Sequence, residues 1–317
     1  MKKLLLFLKR WTLPVSMVAG AASYFIMSSL GLDRDARKAV LDTVSVVQPV
    51  LLFLMLHITF CKVKVKDMRI CRWQWWALLF QITCFAIPAL LVILTPDASW
   101  HVVAESAMLC FICPTATAAA VVTSKLGGNP GSLTAYTVII NLCVSLLIPL
   151  TAPLVHPNGE LTFVHSFLLI SSKVFPLLIM PFVLAVILRK VAPGLVRMYT
   201  AYKDLPFYLW GVGLALAIAV TVRTIVHSHI TPSLQAGIVG VSLLSCVMQF
   251  AFGRWIGRRY GEPITAAQSC GQKNTVLAIW MGYTFFTPIT AIAGGFYSIW
   301  HNVWNSIQLA HASDRKA

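Results

Sequence analysis

The chain has 317 residues, of which 58% are hydrophobic and only 11% charged, with a net charge of +15 and a mean hydropathy of +0.79. Soluble domains average about 25% charged residues, so this composition excludes a soluble globular protein and reads as an all-α polytopic membrane protein. The basic excess belongs to topology and to attraction for anionic lipid, and nucleic acid is not expected as a partner.

A hydrocarbon core about 30 Å thick needs roughly 20 apolar residues per helix. In chain order ten stretches meet that need: 11–31, 39–60, 75–95, 102–125, 131–154, 165–191, 205–226, 232–254, 262–285 and 287–309. The opening "MKKLLLFLKRWTLPVSM" looks superficially like a signal peptide. Lys9 and Arg10 interrupt its apolar run and no small-residue cleavage site follows, so it reads as a cytoplasmic arm before the first span.

Lysine and arginine accumulate on the cytoplasmic side of membrane proteins. With the N-terminus inside, that side receives Lys2, Lys3, Lys9, Arg10, Lys62, Lys64, Lys66, Arg69, Arg72, Lys125, Arg189, Lys190, Arg197, Lys203, Arg254, Arg258, Arg259, Arg315 and Lys316. The outside receives only Arg34, Arg37, Lys38 and Arg223, and Lys173 and Lys273 fall within spans. An even number of spans with both termini cytoplasmic follows, in an integral protein of the bacterial inner membrane. "KVKVKDMRICRWQWW" is a juxtamembrane loop with interfacial tryptophans, and Lys173 in "LLISSKVFPLL" belongs to an amphipathic outer-face lead-in to the sixth span. Cys84, Cys110, Cys113, Cys143, Cys246 and Cys270 lie within spans, and Cys61 and Cys71 on a cytoplasmic loop. All eight are expected as free thiols.

Ten spans divide as five plus five. The fourth and ninth occupy corresponding places and are interrupted by small, polar and helix-breaking residues, "CFICPTATAAAVVTSK" and "QSCGQKNTVLAIW". Because each half has an odd number of spans, the second is inserted upside down. Paired interruptions of this kind point to a transporter of inverted repeats whose broken crossing helices meet at the midplane. The simpler alternative is that Pro114 and Gly271 only kink two packed helices.

"CPTATAAAVVTSKLGGNPGSLTAYT" (113–137), "SCGQKNTVLA" and "GGFYSIWHNVWNS" (294–306) resemble the two crossovers and the last-helix signature of the bile acid:sodium symporter family. The resemblance implies a core bundle over about 75–154 and 232–309 and a panel over about 11–60 and 165–226. An organic anion, bile-acid-like or another carboxylate or sulfonate, would pass between them by alternating access. It also implies substrate or crossover roles for Pro114, Thr115, Ala116, Thr117, Cys270, Gly271, His301 and Asn302. Ion-site or proton-coupling roles fall to Ser269, Gln272, Lys273, Asn274, Thr275, Thr137 and Thr83.

The chain departs from that family where sodium should bind. Ala119 and Ala120 stand at its Ser-Asn pair, Leu133 at a serine, Ser269 at a glutamate and Lys273 at a glutamine, although Thr137 is retained. The family's third-span glutamine falls on Thr83, with Gln81 close by. A sodium site needs about five or six oxygen ligands, so these changes remove oxygens and add a positive charge. The acids all fall in loops or near helix ends, which leaves no carboxylate at mid-membrane. Lys273 lies 11 residues beyond Glu262, roughly 16 Å from the interface and too deep to snorkel. Its partners are expected among the half-helix carbonyls near Cys113 and Cys270, the oxygens of Thr115, Thr117, Ser269, Asn274 and Thr275, or an anionic substrate. It then acts as a tethered cation in place of sodium, or it releases a proton during the cycle; a structural lysine is the plain alternative. His301 and Asn302 read as packing hydrogen bonders beside the crossover.

The preferred reading is therefore a sodium-independent secondary transporter of an organic anion, with a proton as the candidate coupling ion. A sodium symporter with a rearranged ion site is the alternative. Neither HExxH, GxSxG nor a zinc spacing occurs, so an intramembrane enzyme, a metal site and a cofactor are not expected.

Overall fold

The computed structural model describes residues 12–31, 33–63, 65–96, 98–157, 161–202, 205–228 and 230–314. The N-terminal arm through Trp11, together with Lys64, Asp97, Glu160, Lys203, Asp204, Arg315 and Lys316, lies outside them. Among the described residues the chain is all-α and contains no strand beyond one isolated bridge. In chain order the helices are α1 (Thr12–Ser29), α2 (Arg34–Lys62), α3 (Arg72–Leu94), α4 (His101–Ile112), α5 (Ala119–Lys125), α6 (Pro130–Val155) and α7 (Phe163–Leu178). They continue as α8 (Met180–Val191), α9 (Pro193–Ala201), α10 (Leu205–His227), α11 (Pro232–Arg259), α12 (Pro263–Gly271), α13 (Thr275–Phe285) and α14 (Pro288–Asp314).

Local chemistry sets these boundaries. Proline, which needs no amide partner, stands in the first turn of α6, α9, α11 and α12. Side chains cap α2, where Asp33 accepts from the Ala36 amide at 2.7 Å, and α6, where Asn129 Oδ1 accepts from Gly131 and Ser132. At the far end of α2, the Arg189 guanidinium donates to the carbonyls of Phe60 and Val63, which the helix itself leaves unpaired.

Five helices, α2, α3, α6, α10 and α11, are long and apolar enough to cross a membrane. The pair α7–α8, bent by 42° at Ile179, makes a sixth if counted as one span. Large apolar side chains such as Leu90, Leu94, Leu146, Leu168 and Leu244 lie exposed along these helices. Such a surface fits an integral membrane protein. The fourth and ninth hydrophobic stretches are each two shorter helices, α4–α5 and α12–α13, separated by non-helical segments. Cys61, expected on a loop, is instead buried in the last turn of α2, with its sulfur 3.6 Å from His57 Nε2.

The helices that flank the interruptions pack closely around them. α11 and α12 approach through Gly253 and Gly257, where an added Cβ would stand 2.5 Å from the carbonyl oxygens of Ala266 and Glu262 respectively. Small residues four apart let two helix backbones meet, and here they bring the second interruption against α11. α4, α11 and α14 contact one another, α3 lies on α4, and α13 lies on α14. Away from the interruptions, α10 packs on both α1 and α2.

Candidate functional site: the crossing of two interrupted helices

The segments between α4 and α5 and between α12 and α13 lie against each other. The Ala116 amide donates to the Gln272 carbonyl at 2.8 Å, and the Asn274 amide to the Pro114 carbonyl at 2.9 Å. Thr115 and Lys273 thereby oppose each other in an antiparallel bridge. Broken helices within a membrane are tolerated only where the freed backbone groups are buried and satisfied, and here each break satisfies the other. In this wide type of pair the facing Cα atoms stand about 4.5 Å apart, so the two side chains share one side of the crossing.

Lys273 is only 1% exposed. Its Nζ donates to the Phe111 carbonyl at 3.4 Å, in the last turn of α4, where helix carbonyls favour a cation. Among the described residues the one buried acid is Glu105, which sits in the second turn of α4, near a helix end as expected. Glu105 Oε1 is engaged by His156 Nε2 at 2.8 Å, and it lies about 9 Å along the helix from Phe111. The partner that Lys273 finds is thus a half-helix carbonyl, one of the two kinds of oxygen the sequence offered.

The remaining candidate residues group around this point. Thr115 Oγ1 donates to the Ser269 carbonyl at 2.7 Å, and Cys113 Sγ to the Asn274 carbonyl at 2.8 Å. The Asn274 side chain caps α13 through the Leu277 amide, and Thr275 Oγ1 donates to Ser298 Oγ at 3.1 Å. The Lys273 amide donates to His301 Nδ1 at 3.3 Å, which leaves a proton on that ring to Nε2. Asn302 Nδ2 reaches Ser298 Oγ at 3.4 Å. Ala116, Thr117 and Cys270 are buried in the same region. Gly271 is required sterically, because a Cβ there would run into the Phe250 ring. Thr137 is buried, and its hydroxyl donates back to the Leu133 carbonyl of its own helix.

Thr83 does not join this group. It lies on the exposed face of α3, whereas Gln81 is buried on the opposite side. Gln81 Nε2 donates to the carbonyls of Phe111 at 2.8 Å and Cys113 at 3.1 Å, and its Oε1 accepts from Tyr136 at 2.8 Å. A second glutamine–tyrosine pair serves the other break. Tyr297 donates to the Gly271 carbonyl at 2.8 Å, and Gln249 Nε2 lies 3.0 Å from Tyr297 Oη and 3.3 Å from the Cys110 carbonyl. Tyr136, Gln249 and Tyr297 were not singled out from sequence. The available signal was a hydrogen-bonding side chain inside an apolar span, where it needs a partner within the bundle.

Several buried polar atoms here have no hydrogen-bond partner among the described residues: Ser269 Oγ, both ends of the Gln272 amide, His301 Nε2 and Asn302 Oδ1. Buried polar atoms are nearly always satisfied, so these five atoms have hydrogen-bonding capacity left over beside Lys273. Among the described residues no three His, Cys, Asp or Glu side chains are grouped so as to hold a metal ion. No protein-family model and no curated protein matches the chain.

Proposed function

We propose that the protein is a secondary transporter that moves an organic anion by alternating access, without sodium, and that the Lys273 ammonium stands in place of the ion. The observation that carries this reading is a lysine 1% exposed at the point where two interrupted helices pair, with a half-helix carbonyl as its partner. A charged side chain at mid-membrane costs at least about 2.5–3.5 kcal/mol on insertion scales, which makes a merely decorative lysine hard to sustain. The oxygens a sodium site would need are replaced by Ala119, Ala120 and Leu133, all buried.

In this reading the chain has ten spans arranged as two inverted repeats of five, with both termini in the cytoplasm of a bacterial inner membrane. Four features support it: the matching order of half-helix, break, half-helix and long helix in α4–α6 and α12–α14, the motif resemblance to bile acid:sodium symporters, and the two glutamine–tyrosine pairs. Gln81 of the third span with Tyr136 of the fifth serves the first break, and Gln249 of the eighth with Tyr297 of the tenth serves the second. The substrate is an amphipathic carboxylate or sulfonate.

The test is uptake of taurocholate and of smaller organic anions into proteoliposomes, with sodium replaced by choline. Initial rates within about twofold are expected, because no coupling free energy links sodium to the substrate. A steep, sigmoidal sodium dependence would show that the ion site has been rebuilt from other oxygens. Absence of flux with every anion, at verified orientation, would end the transport reading.

A further inference from the structure

The ends of α4, α6 and α13 that lie away from the crossing meet at a cluster of one carboxylate and two imidazoles. Glu105, in the second turn of α4, is completely buried. Its Oε1 stands 2.8 Å from Nε2 of His156, the residue that caps the end of α6. Its Oε2 lies 3.9 Å from Nδ1 of His101, one turn back on α4, and has no hydrogen-bond partner among the described residues. The two imidazole rings meet edge to face at 6.4 Å. The His156 ring also meets Phe286, just past the end of α13, at 6.1 Å. Unlike the acid, both histidines can be reached from outside the fold, with side chains 18% exposed at His101 and 34% at His156.

An ionised carboxylate taken out of water is costly unless a cation pairs with it. Among the described residues Glu105 has no arginine or lysine beside it; the charges within its reach are those of the two imidazoles. The elements packed on α4 add none at this end. α11 approaches through Gly237, which lies against Val103, and its first turn, 232–235, is uncharged, as are 91–95 at the end of α3 and 287–291 at the start of α14. Tyr283 of α13 donates to the Val220 carbonyl, and His165 of α7 is engaged with Thr162 Oγ1. α10, which packs on α13 and α14, carries Arg223 and His227 at this end, and His227 meets Tyr24 of α1. Asp97 and Glu160, which precede α4 and follow α6 in sequence, lie outside the described residues. His156 caps the C-terminal end of its helix, where carbonyls favour a cation, whereas His101 opens α4, where the helix start disfavours one.

We infer that Glu105, His156 and His101 form a proton-binding site that fastens α4 to the end of α6. Histidine is the side chain whose charge changes between about pH 5 and 8. A proton taken up by His156 completes an ion pair with Glu105 across the 2.8 Å contact. Its loss leaves a buried carboxylate facing neutral rings. The closed arrangement therefore holds a proton that an arrangement with Glu105 in water does not require, so protons favour closure. Attachment of α4 strengthens as the pH falls through the histidine range and weakens as it rises. Six residues on, about 9 Å along the same half-helix, stands the Phe111 carbonyl that receives Lys273. The site thus anchors the far end of the element that supplies the lysine's partner, and it does not depend on the transport reading.

The test is hydrogen–deuterium exchange of the purified full-length protein between about pH 5.5 and 8.5, read by mass spectrometry over α4. Rates are corrected for chemical exchange, and α2, which lies away from the cluster, is the internal reference. Protection of α4 relative to α2 should fall at least about tenfold across this range, since one linked proton allows about tenfold per pH unit. His156→Lys, a change at a partly exposed helix end, supplies a permanent cation and should keep α4 protected at every pH. His156→Gln should leave α4 weakly protected at every pH. Glu105→Gln removes the charge that needs matching, so it should be better protected than wild type at high pH and less protected at low pH. A merely structural acid would not give that reversal. Should Glu105→Gln not fold, the two His156 variants decide the matter. Protection of wild-type α4 that does not change with pH relative to α2, or a fall that persists in His156→Gln and His156→Lys, would overturn the proposal.

Discussion

The interruption at 113–118 is made of a cysteine, a proline and small side chains, whereas that at 272–274 holds an amide, an amine and a second amide. Both close their backbones in the same two-bond bridge. The backbone geometry therefore asks only that each helix stop and that the two breaks meet, and it leaves the side chains free to diverge. They have diverged in one direction. At the first break Thr115 bonds to Ser269, Cys113 to Asn274 and Gln81 to two carbonyls. Around the second stand Lys273 and the unpartnered atoms of Ser269, Gln272, His301 and Asn302. The first break supplies carbonyls and a packed wall, whereas the second carries the Lys273 amine and polar atoms without a partner.

The largest effect should come from the residue on which this asymmetry turns. Lys273→Ala removes the only donor that the Phe111 carbonyl receives from the second break. It should yield folded, membrane-inserted protein with transport reduced at least about tenfold, equivalent to about 1.4 kcal/mol. Lys273→Arg keeps a permanent charge, so partial activity in uptake assays indicates a tethered cation and complete loss of coupled uptake indicates a proton-releasing one. Wild-type rates in Lys273→Ala at equal expression would reduce the lysine to a structural role and remove the functional contrast between the breaks.

A smaller effect should follow from the glutamines. Gln81→Leu strips a donor from two carbonyls of the first break, and Gln249→Leu strips the Tyr297 contact beside the second. Each should lower thermal stability, by about 1–3 kcal/mol, because a buried carbonyl or hydroxyl is left unpaired. Should the first break be mainly a fixed wall, Gln81→Leu will depress stability more than transport per surviving molecule. A selective loss of transport in Gln81→Leu, with unfolding unchanged, would erase the distinction drawn here.

The smallest effect is expected at Thr83, which lies on the exposed face of α3. Thr83→Ala should change stability by less than about 0.5 kcal/mol and leave transport unaltered, in contrast to Gln81→Leu on the same helix. A tenfold loss in Thr83→Ala would restore it to the ion site and displace Gln81.

Much of the architecture was legible before any coordinates. Long apolar stretches located the helices, so that 75–95 became Arg72–Leu94 and 131–154 became Pro130–Val155. Pro114 and the Gly271–Asn274 segment located the two breaks, because helix-breaking and polar residues in an apolar run have a local signature. Lys273 stood out for the same reason. The Thr83–Gln81 exchange shows where that legibility stops. Two residues apart on a helix means roughly opposite faces, and an ungapped match cannot choose between them. Glu105 was placed near a helix end correctly, yet its complete burial against His156 depends on the residue that caps the end of α6.

Composition, segment length and local helix-breaking chemistry by themselves determined that this is an all-α membrane protein with two interrupted helices and a lysine in one of them. Each of those properties is a function of neighbouring residues. That Thr115 faces Lys273, that Phe111 supplies the lysine's carbonyl, and that Gln249 reaches the Cys110 carbonyl were decided only by tertiary structure. These pairings join segments more than a hundred residues apart, and they are fixed by how small residues such as Gly253, Gly257 and Gly271 let the helices approach. No local pattern records that approach.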